Sequence, residues 1–226
     1  MILAINSSTV QYSVALMTLH GVVVAEYMVI PNGNTFTGFV PAINQIFQSS
    51  GIDIKEINVA AIATGPGSFT GLRVGLAAAK GITYSLDIPL IGISSIDALA
   101  LSIPYTEIPV CSMITSRRDE AFFAFFKKEE DDNLARQSNV ESMKINEIGS
   151  LINCPTIVVG NDFEKQKPLI EKSGNENIIY ARQDHWNLRA SLVGALGLRR
   201  FHANDFDNVM DIVPDYSRPP DIRLRK

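Results

Sequence analysis

The sequence predicts an α/β fold in which one topology is used twice. Three observations carry this. Short runs rich in Val, Ile and Leu alternate with segments of helical periodicity. Their order, β-β-β-α-β-α-β-α, recurs more loosely after a stretch bracketed by Pro104 and Pro109. Finally, 226 residues with 46% hydrophobic and 19% charged content describe a globular chain with a substantial core. The expected division is a first lobe at 1–105 and a second at 106–209, with the tail 210–226 free to pack back on the first.

The first lobe opens with three expected strands, Ile2 to Ser7, Tyr12 to Thr18 and Val22 to Ile30, separated by turn material at Ser8-Thr9 and His20-Gly21. A helix is predicted from about Thr37 to Ser50, with Val40, Ile43, Ile46 and Phe47 on one face, Pro41 in its first turn and Gly51 as its stop. Strand Val59 to Ala63, a glycine turn, helix Leu72 to about Leu86, strand Pro89 to Ile93 and a short helix Ile96 to Ser102 complete the lobe. In the second, Val110 to Thr115 and Ala121 to Lys127 read as a strand pair, with a third strand around Asn139 to Met143. Helix Ile145 to Ile152, strand Thr156 to Val159, helix Asp162 to Lys172, strand Ile178 to Ala181 and helix Leu188 to Phe201 follow. The run from Lys127 to Asp132 reads as a solvated turn, and His185-Trp186 as a packing or capping pair before the last helix.

The most informative stretch runs from Thr64 to Arg73, Thr-Gly-Pro-Gly-Ser-Phe-Thr-Gly-Leu-Arg. Strand, glycine turn and helix start place backbone N–H groups and the positive end of a helix dipole together, where an anion can bind. Gly65, Gly67, Ser68 and Thr70 are the candidate anion or nucleotide loop. Two phosphate motifs nevertheless fail here. No Gly-Lys pair is present for a P-loop, and Thr70 stands where the dinucleotide fingerprint needs its third Gly or Ala.

The helix behind this loop is unusual. At about 100° per residue, Gly71, Gly75, Ala79 and Ile82 share one broad face with Leu72 and Leu76 alongside, while Arg73, Lys80 and Tyr84 lie opposite. Gly71, Gly75 and Gly81 together cost roughly 2–3 kcal/mol of helix propensity relative to Ala. Small residues four apart admit a close neighbour. That neighbour is either the chain's own sheet or a helix of a second protein, and the sequence leaves both open.

The run Gly65 to Gly75 resembles, without a gap, the signature Gly-Pro-Gly-Ser-Phe-Thr-Gly-Leu-Arg-x-Gly of the bacterial TsaB (YeaZ) family. Pro214-Asp215-Tyr216-Ser217-Arg218 is similar to that family's Pro-x-Tyr-Leu-Arg ending, with Ser217 in place of Leu. The resemblance, like the duplicated topology, implies the ASKHA architecture of actin, hexokinase and Hsp70, two ribonuclease-H-like lobes. It also implies a role. TsaB proteins are non-catalytic scaffolds that pair with the metal-holding subunit TsaD through their N-terminal-lobe helices. With the ATPase TsaE, that assembly places a threonylcarbamoyl group on N6 of a tRNA adenosine. The partner interface so implied comprises Gly71, Leu72, Arg73, Gly75, Leu76, Ala79 and Lys80. No cofactor is required of this chain, ATP or ADP having a place only at the interface. tRNA is met only within the complex, and a homodimer is open to the chain when alone.

The competing classes lack their chemistry. An ASKHA phosphotransferase holds Mg²⁺ with hard carboxylate oxygens on the first hairpin of each lobe. Asn6 and Thr115 stand at those positions, the latter within Thr115-Ser116-Arg117-Arg118-Asp119-Glu120, which resembles the family's Asp-Ala-Arg-Arg-x-Glu. Asp119 and Glu120 beside two arginines read as structural. A metallopeptidase fares no better, because His20, His185 and His202 are far apart and no Gly-x-Ser-x-Gly elbow occurs. No catalytic residue and no metal ligand is therefore expected. Cys111 and Cys154 make neither a disulfide framework nor a zinc site, and Cys111 reads as a small core residue. A net charge of −4 and a pI near 5.4 argue against strong autonomous binding of nucleic acid. Arg218, Arg223, Arg225 and Lys226 form a basic tail. The N-terminus lacks a signal-peptide pattern and no apolar stretch reaches membrane-spanning length, so a cytoplasmic protein is expected.

Overall fold

The computed structural model describes residues 1–31, 36–104, 106–129 and 134–217. Glu130, Asp131 and Asp132 of the charged turn, and the basic residues 218, 223, 225 and 226, lie outside that range. Five strands make the first sheet: β1 (Ile2–Asn6), β2 (Tyr12–Met17), β3 (Val23–Val29), β4 (Val59–Gly65) and β5 (Leu90–Ser94). Their spatial order is β3-β2-β1-β4-β5. The hairpin-linked β1, β2 and β3 pair antiparallel, whereas β4 and β5, each reached through a helix, run parallel to β1.

Side-chain alternation divides this sheet between two cores. Leu3, Ile5, Val14, Leu16, Ala60 and Ile62 face the helices α1 (Phe39–Ser50) and α2 (Phe69–Leu86). Ile2, Ala4, Ala15, Met17, Ala61 and Ala63 face the other way, into a core shared with the second sheet. The short helix α3 (Ser95–Ala100) lies in that shared core, where Ser112 Oγ donates to the Ile96 carbonyl at 3.0 Å.

The second sheet contains β6 (Val110–Thr115), β7 (Glu120–Lys128), β8 (Leu134–Arg136), β9 (Glu141–Lys144), β10 (Thr156–Gly160) and β11 (Ile178–Tyr180). Its order is β11-β10-β6-β7-β8, with β9 also on β7. Helices α4 (Ile145–Ser150) and α5 (Phe163–Ile170) belong to it. Trp186 is buried, as its pairing with His185 suggested. Its ring meets Phe163 edge-on at 5.2 Å and its Nε1 donates to the Ala181 carbonyl at 3.1 Å.

Three elements differ from the sequence reading. Helix α2 begins at Phe69 rather than Leu72, because the Ser68 hydroxyl caps it by accepting from the Gly71 N–H at 3.2 Å. The three-residue strand β8 was not anticipated, being too short for alternation to register. Helix α6 (Ala190–His202), the last of the second repeat, packs on the first sheet instead of its own. A Cβ on Gly194 would lie 3.0 Å from the Ala4 side chain, and one on Gly197 would lie 2.5 Å from that of Ala61. Small residues on both surfaces thus bring helix and sheet together. The start of α6 is held by Glu26 of β3, whose carboxylate accepts from the Ser191 N–H at 2.8 Å and pairs with Arg189.

Cys111 is fully buried on β6 and burial pushes its thiol up to about 12, whereas Cys154 is exposed. At neutral pH a thiol reagent should therefore label one cysteine in the native protein and two in denaturant. A second site labelled at the native rate would contradict the placement of Cys111.

Candidate functional site

The two sheets meet over a cleft of about 550 Å³. One wall comes from the turn after β1 (Ser8, Thr9, Val10) and the start of α2 (Gly67, Ser68, Phe69, Thr70, Arg73). Thr115 at the end of β6, Ser116 and Arg117 after it, Phe122 of β7 and Asn161 after β10 form the other wall, while Pro31, Phe36 and Tyr216 complete the lining.

The first wall is locked by backbone contacts. The Ser68 N–H donates to the Ser8 carbonyl at 2.6 Å, and Ser7 Oγ donates to the Gly71 carbonyl at 2.8 Å. A Cβ on Gly67 or Gly71 would overlap the carbonyl oxygens of Ser8 and Ser7, and one on Gly75 would overlap Ser7 Oγ. The glycines of the loop and of the first two helical turns thus let α2 press on the β1–β2 turn.

This corrects one reading of α2. Gly71, Leu72, Gly75, Leu76 and Ala79 are buried against the chain's own first sheet, so that small-residue face is not a surface for a second protein. Arg73 and Lys80 lie on the opposite side, and both touch the chain's own tail. Arg73 Nε donates to the Tyr216 hydroxyl at 2.8 Å, with its guanidinium 3.9 Å from the centre of the Phe69 ring. Lys80 Nζ donates to the Met210 carbonyl at 3.3 Å. Residues 207–216 run back along the first lobe. The Asp207 N–H donates to the Leu90 carbonyl, and the Asp215 N–H donates to the Thr64 carbonyl at 2.8 Å. Arg200 fastens the start of this segment by pairing with Asp207 at 2.9 Å and Asp205 at 2.6 Å. The ion pair holds the Asp205 carboxyl below its ordinary range.

Of the loop residues, Gly67, Ser68 and Thr70 line the cleft. Gly65 does not. It ends β4 at φ +126°, where a Cβ would overlap the Asp215 carbonyl oxygen.

The two positions where an ASKHA enzyme carries carboxylates are neutral and engaged. Asn6 is fully buried. Its Nδ2 donates to the Leu188 carbonyl at 2.8 Å and to Thr9 Oγ1 at 3.2 Å, while its Oδ1 accepts from the Ser8 N–H at 3.0 Å and Ser8 Oγ at 2.7 Å. Thr115 is tied to Asn161, whose Oδ1 accepts from the Thr115 N–H at 2.8 Å, from Thr115 Oγ1 at 3.2 Å and from Gln166 Nε2 at 3.2 Å. Gln11 Nε2 donates across to the Asn161 carbonyl at 2.8 Å and links the lobes. No Asp or Glu is among the described residues that line the cleft, and Asp119 and Glu120 stand outside the lining. Hydroxyl and amide groups already spent on one another do not fit Mg²⁺, which prefers charged oxygen ligands. The Mg²⁺-nucleotide that this architecture implies therefore has no matching ligand set among the described residues.

Asn161 was not singled out from the sequence. The signal was present, since Gly160-Asn161-Asp162 ends a strand and starts a helix, with Asp162 capping α5 by accepting from the Lys165 N–H at 3.2 Å. Tyr216 stood only in the tail motif, and nothing local pointed Phe36 at this cleft.

Two sheets of ribonuclease-H-like topology around a central cleft define an ASKHA-type protein, here with no carboxylate among the described residues that line the cleft. The chain belongs to the family described as "TsaD: tRNA N6-adenosine threonylcarbamoyltransferase", whose model matches residues 37–183. It is 27% identical over 220 residues to tRNA threonylcarbamoyladenosine biosynthesis protein TsaB of Bacillus subtilis (strain 168), covering 96% of this chain and 93% of the relative. To the protein of the same name in Escherichia coli (strain K12) it is 33% identical over 132 residues, 58% of this chain and 56% of the relative. The solved structure of YeaZ from Pseudomonas aeruginosa superposes with a TM-score of 0.77 at 17% identity, over 95% of this chain and 98% of that one, a likeness of fold. The TsaB (YeaZ) resemblance carried by residues 65–75 thus extends along nearly the whole chain. No helix among the described residues is long and apolar enough to cross a membrane.

Proposed function

We propose that the chain is the scaffold subunit of a tRNA N6-threonylcarbamoyladenosine assembly, binding and supporting a TsaD-like catalytic subunit through its first lobe. One observation carries the non-catalytic part of this reading. The cleft where an ASKHA enzyme would hold Mg²⁺ and phosphates has neutral, mutually bonded residues at both carboxylate positions. A kinase or ATPase of this architecture would need those charges. In this reading a TsaE-like ATPase completes the assembly and tRNA is met only inside it. ATP or ADP, where needed, sits between subunits, a homodimer forms when the partner is absent, and the location is cytoplasmic.

The burial of the Gly71 and Gly75 face moves the proposed docking surface to the outer side of α2. There Ala77, Gly81 and Tyr84 share one exposed face with Arg73 and Lys80, and Tyr84 is 80% exposed. Gly81 is inside the helix, where Gly is unfavourable by roughly 1 kcal/mol, and a Cβ there would meet nothing within 4 Å. Nothing among the described residues requires a glycine at this position, whereas a helix from another subunit crossing at Ala77 and Gly81 would.

A Gly81→Leu variant should be at least as stable alone as the parent, because it gains helix propensity and meets no neighbour. It should fail to co-elute with the TsaD-like subunit and should leave tRNA without the modified adenosine. A stable Gly81→Leu protein that binds and supports modification normally would put the partner elsewhere.

A further inference from the structure

We infer that the returning tail supplies the second part of the docking surface. With a TsaD-like subunit on the outer face of α2, the reading proposed above and the one on which this rests, the turn at 208–213 meets that subunit through Met210 and Val213. Among the described residues the three most exposed large apolar side chains are Tyr84 at 80%, Met210 at 77% and Val213 at 69%. Single exposed apolar residues are ordinary, but these three are distant in the chain and close in the fold. Lys80 Nζ donates to the Met210 carbonyl at 3.3 Å, one helical turn from Tyr84. Val213 lies between that contact and the bond from the Asp215 N–H to the Thr64 carbonyl. A helix crossing α2 at Ala77 and Gly81, at the usual interaxial distance of about 8–10 Å, also passes over Lys80 and Tyr84. It thereby reaches the tail that Lys80 holds.

The tail is built to hold these side chains outward. Val209 and Ile212 pack against the core of the first lobe. A Cβ on Gly92 would lie 2.7 Å from Cδ1 of Ile212, so the glycine makes room for the segment. Asn208 closes the turn between them. Its Oδ1 accepts from the Met210 N–H at 2.9 Å, its Nδ2 donates to Asp211 Oδ2 at 2.6 Å, and its carbonyl accepts from the Ile212 N–H at 2.9 Å. Anchors on both sides of Met210 leave its side chain in water on a backbone that a partner need not order. Methionine adapts its shape to an opposing apolar surface. A tail that only covered the edge of the first sheet would gain nothing from Met and Val at outward positions. Arg73 and Lys80 beside it bond uncharged acceptors, the Tyr216 hydroxyl and the Met210 carbonyl, so their charges stay available to carboxylates across the interface. The matching surface on the TsaD-like subunit is an apolar pocket for Tyr84 and Met210 with acidic groups at its rim.

The test is titration of the TsaD-like subunit with the whole chain and its variants, each also melted alone. Met210→Asp and Val213→Asp alter exposed side chains, so both should melt like the parent. Each should bind about tenfold more weakly or worse, because an apolar anchor has become a desolvated charge. Met210→Gln, which adds no charge, should weaken binding in the same direction and guards against an effect on folding. Val22→Asp, equally exposed but next to β3 at the sheet edge opposite the tail, should bind like the parent. Gly81→Leu tells the tail apart from α2. If it blocks binding while both tail variants bind normally, the partner docks on α2 without the tail, and the role given to Met210 and Val213 is overturned. If Gly81→Leu and both tail variants all bind normally, the docking face itself is elsewhere and both readings fall. Val22→Asp weakening binding as much as the tail variants would reveal a general effect of surface charge and overturn the role of the tail. So would tail variants that alter only the self-association of the free chain, read from its elution volume.

Discussion

Gly71→Ala should destabilise the isolated chain by about 3 kcal/mol or more, although alanine is the better helix former by roughly 1 kcal/mol. The added Cβ would overlap the Ser7 carbonyl oxygen and lie 2.6 Å from Cζ of Phe36. A carbonyl oxygen in the β1–β2 turn cannot rotate away as a flexible side-chain end can. The Ser7 and Ser8 contacts that seat α2 would have to move with it. Gly81→Ala, on the outer face of the same helix, should stabilise by about 1 kcal/mol, since its Cβ meets open space. Urea unfolding of the two variants beside the parent measures both effects. The account of α2 fails if Gly71→Ala is as stable as the parent, and also if the two substitutions shift stability in the same direction.

Asn6→Asp should lower stability at pH 7 by about 3 kcal/mol, the scale of an uncompensated buried charge. The substitution restores the residue type an ASKHA enzyme carries, yet it removes both donors of the amide. The Leu188 carbonyl would then face a carboxylate oxygen. Thr9 Oγ1 cannot turn to help without giving up its own bond to the Gln11 carbonyl at 2.7 Å. Burial raises a carboxyl pKa, so the penalty is fully present above the raised folded-state value and shrinks to nothing as pH falls from there to the unfolded-state value and the acid protonates. Denaturant midpoints at pH 7 and pH 5 should show the variant recovering toward the parent at the lower pH. A variant equal to the parent at pH 7 would mean that Asn6 is not the fixed amide described. The single change should bring no Mg²⁺-dependent ATP hydrolysis, because Thr115 on the opposite lobe remains neutral and bonded to Asn161.

Much of the fold was legible because its signals are local. The strands β1, β2 and β6 show as apolar runs, and α1 shows as a 3.6-residue stripe that ends at Gly51, whose φ of 70° suits glycine. The start of α2 was misplaced by three residues although Ser68 was in view, since the glycines of the loop and helix masked the cap. The candidate site was legible in part. Asn6 and Thr115 announced the missing carboxylates, and Gly67, Ser68 and Thr70 are in the cleft lining. Asn161, Phe36 and Tyr216 reach the same cleft from just after β10, the segment before α1 and the tail, and no spacing in the chain relates those three.

The sequence by itself determined the order of elements apart from the short β8, the α/β class, the family carried by the run from Gly65 to Gly75, and the neutrality of the two positions that would bind Mg²⁺. Each is written in a short stretch of residues whose chemistry does not depend on what lies across from it. Only the tertiary structure decided which neighbour the glycines of α2 admit, that α6 crosses to the first sheet, and that the tail engages Arg73 and Lys80. Helical periodicity shows that a face is small and apolar, but the surface covering it comes from residues distant in the chain. Ser7 is 64 positions from Gly71, and Tyr216 is 143 from Arg73. Contacts over such separations are set by how sheets and helices pack, which the local pattern of residues does not encode.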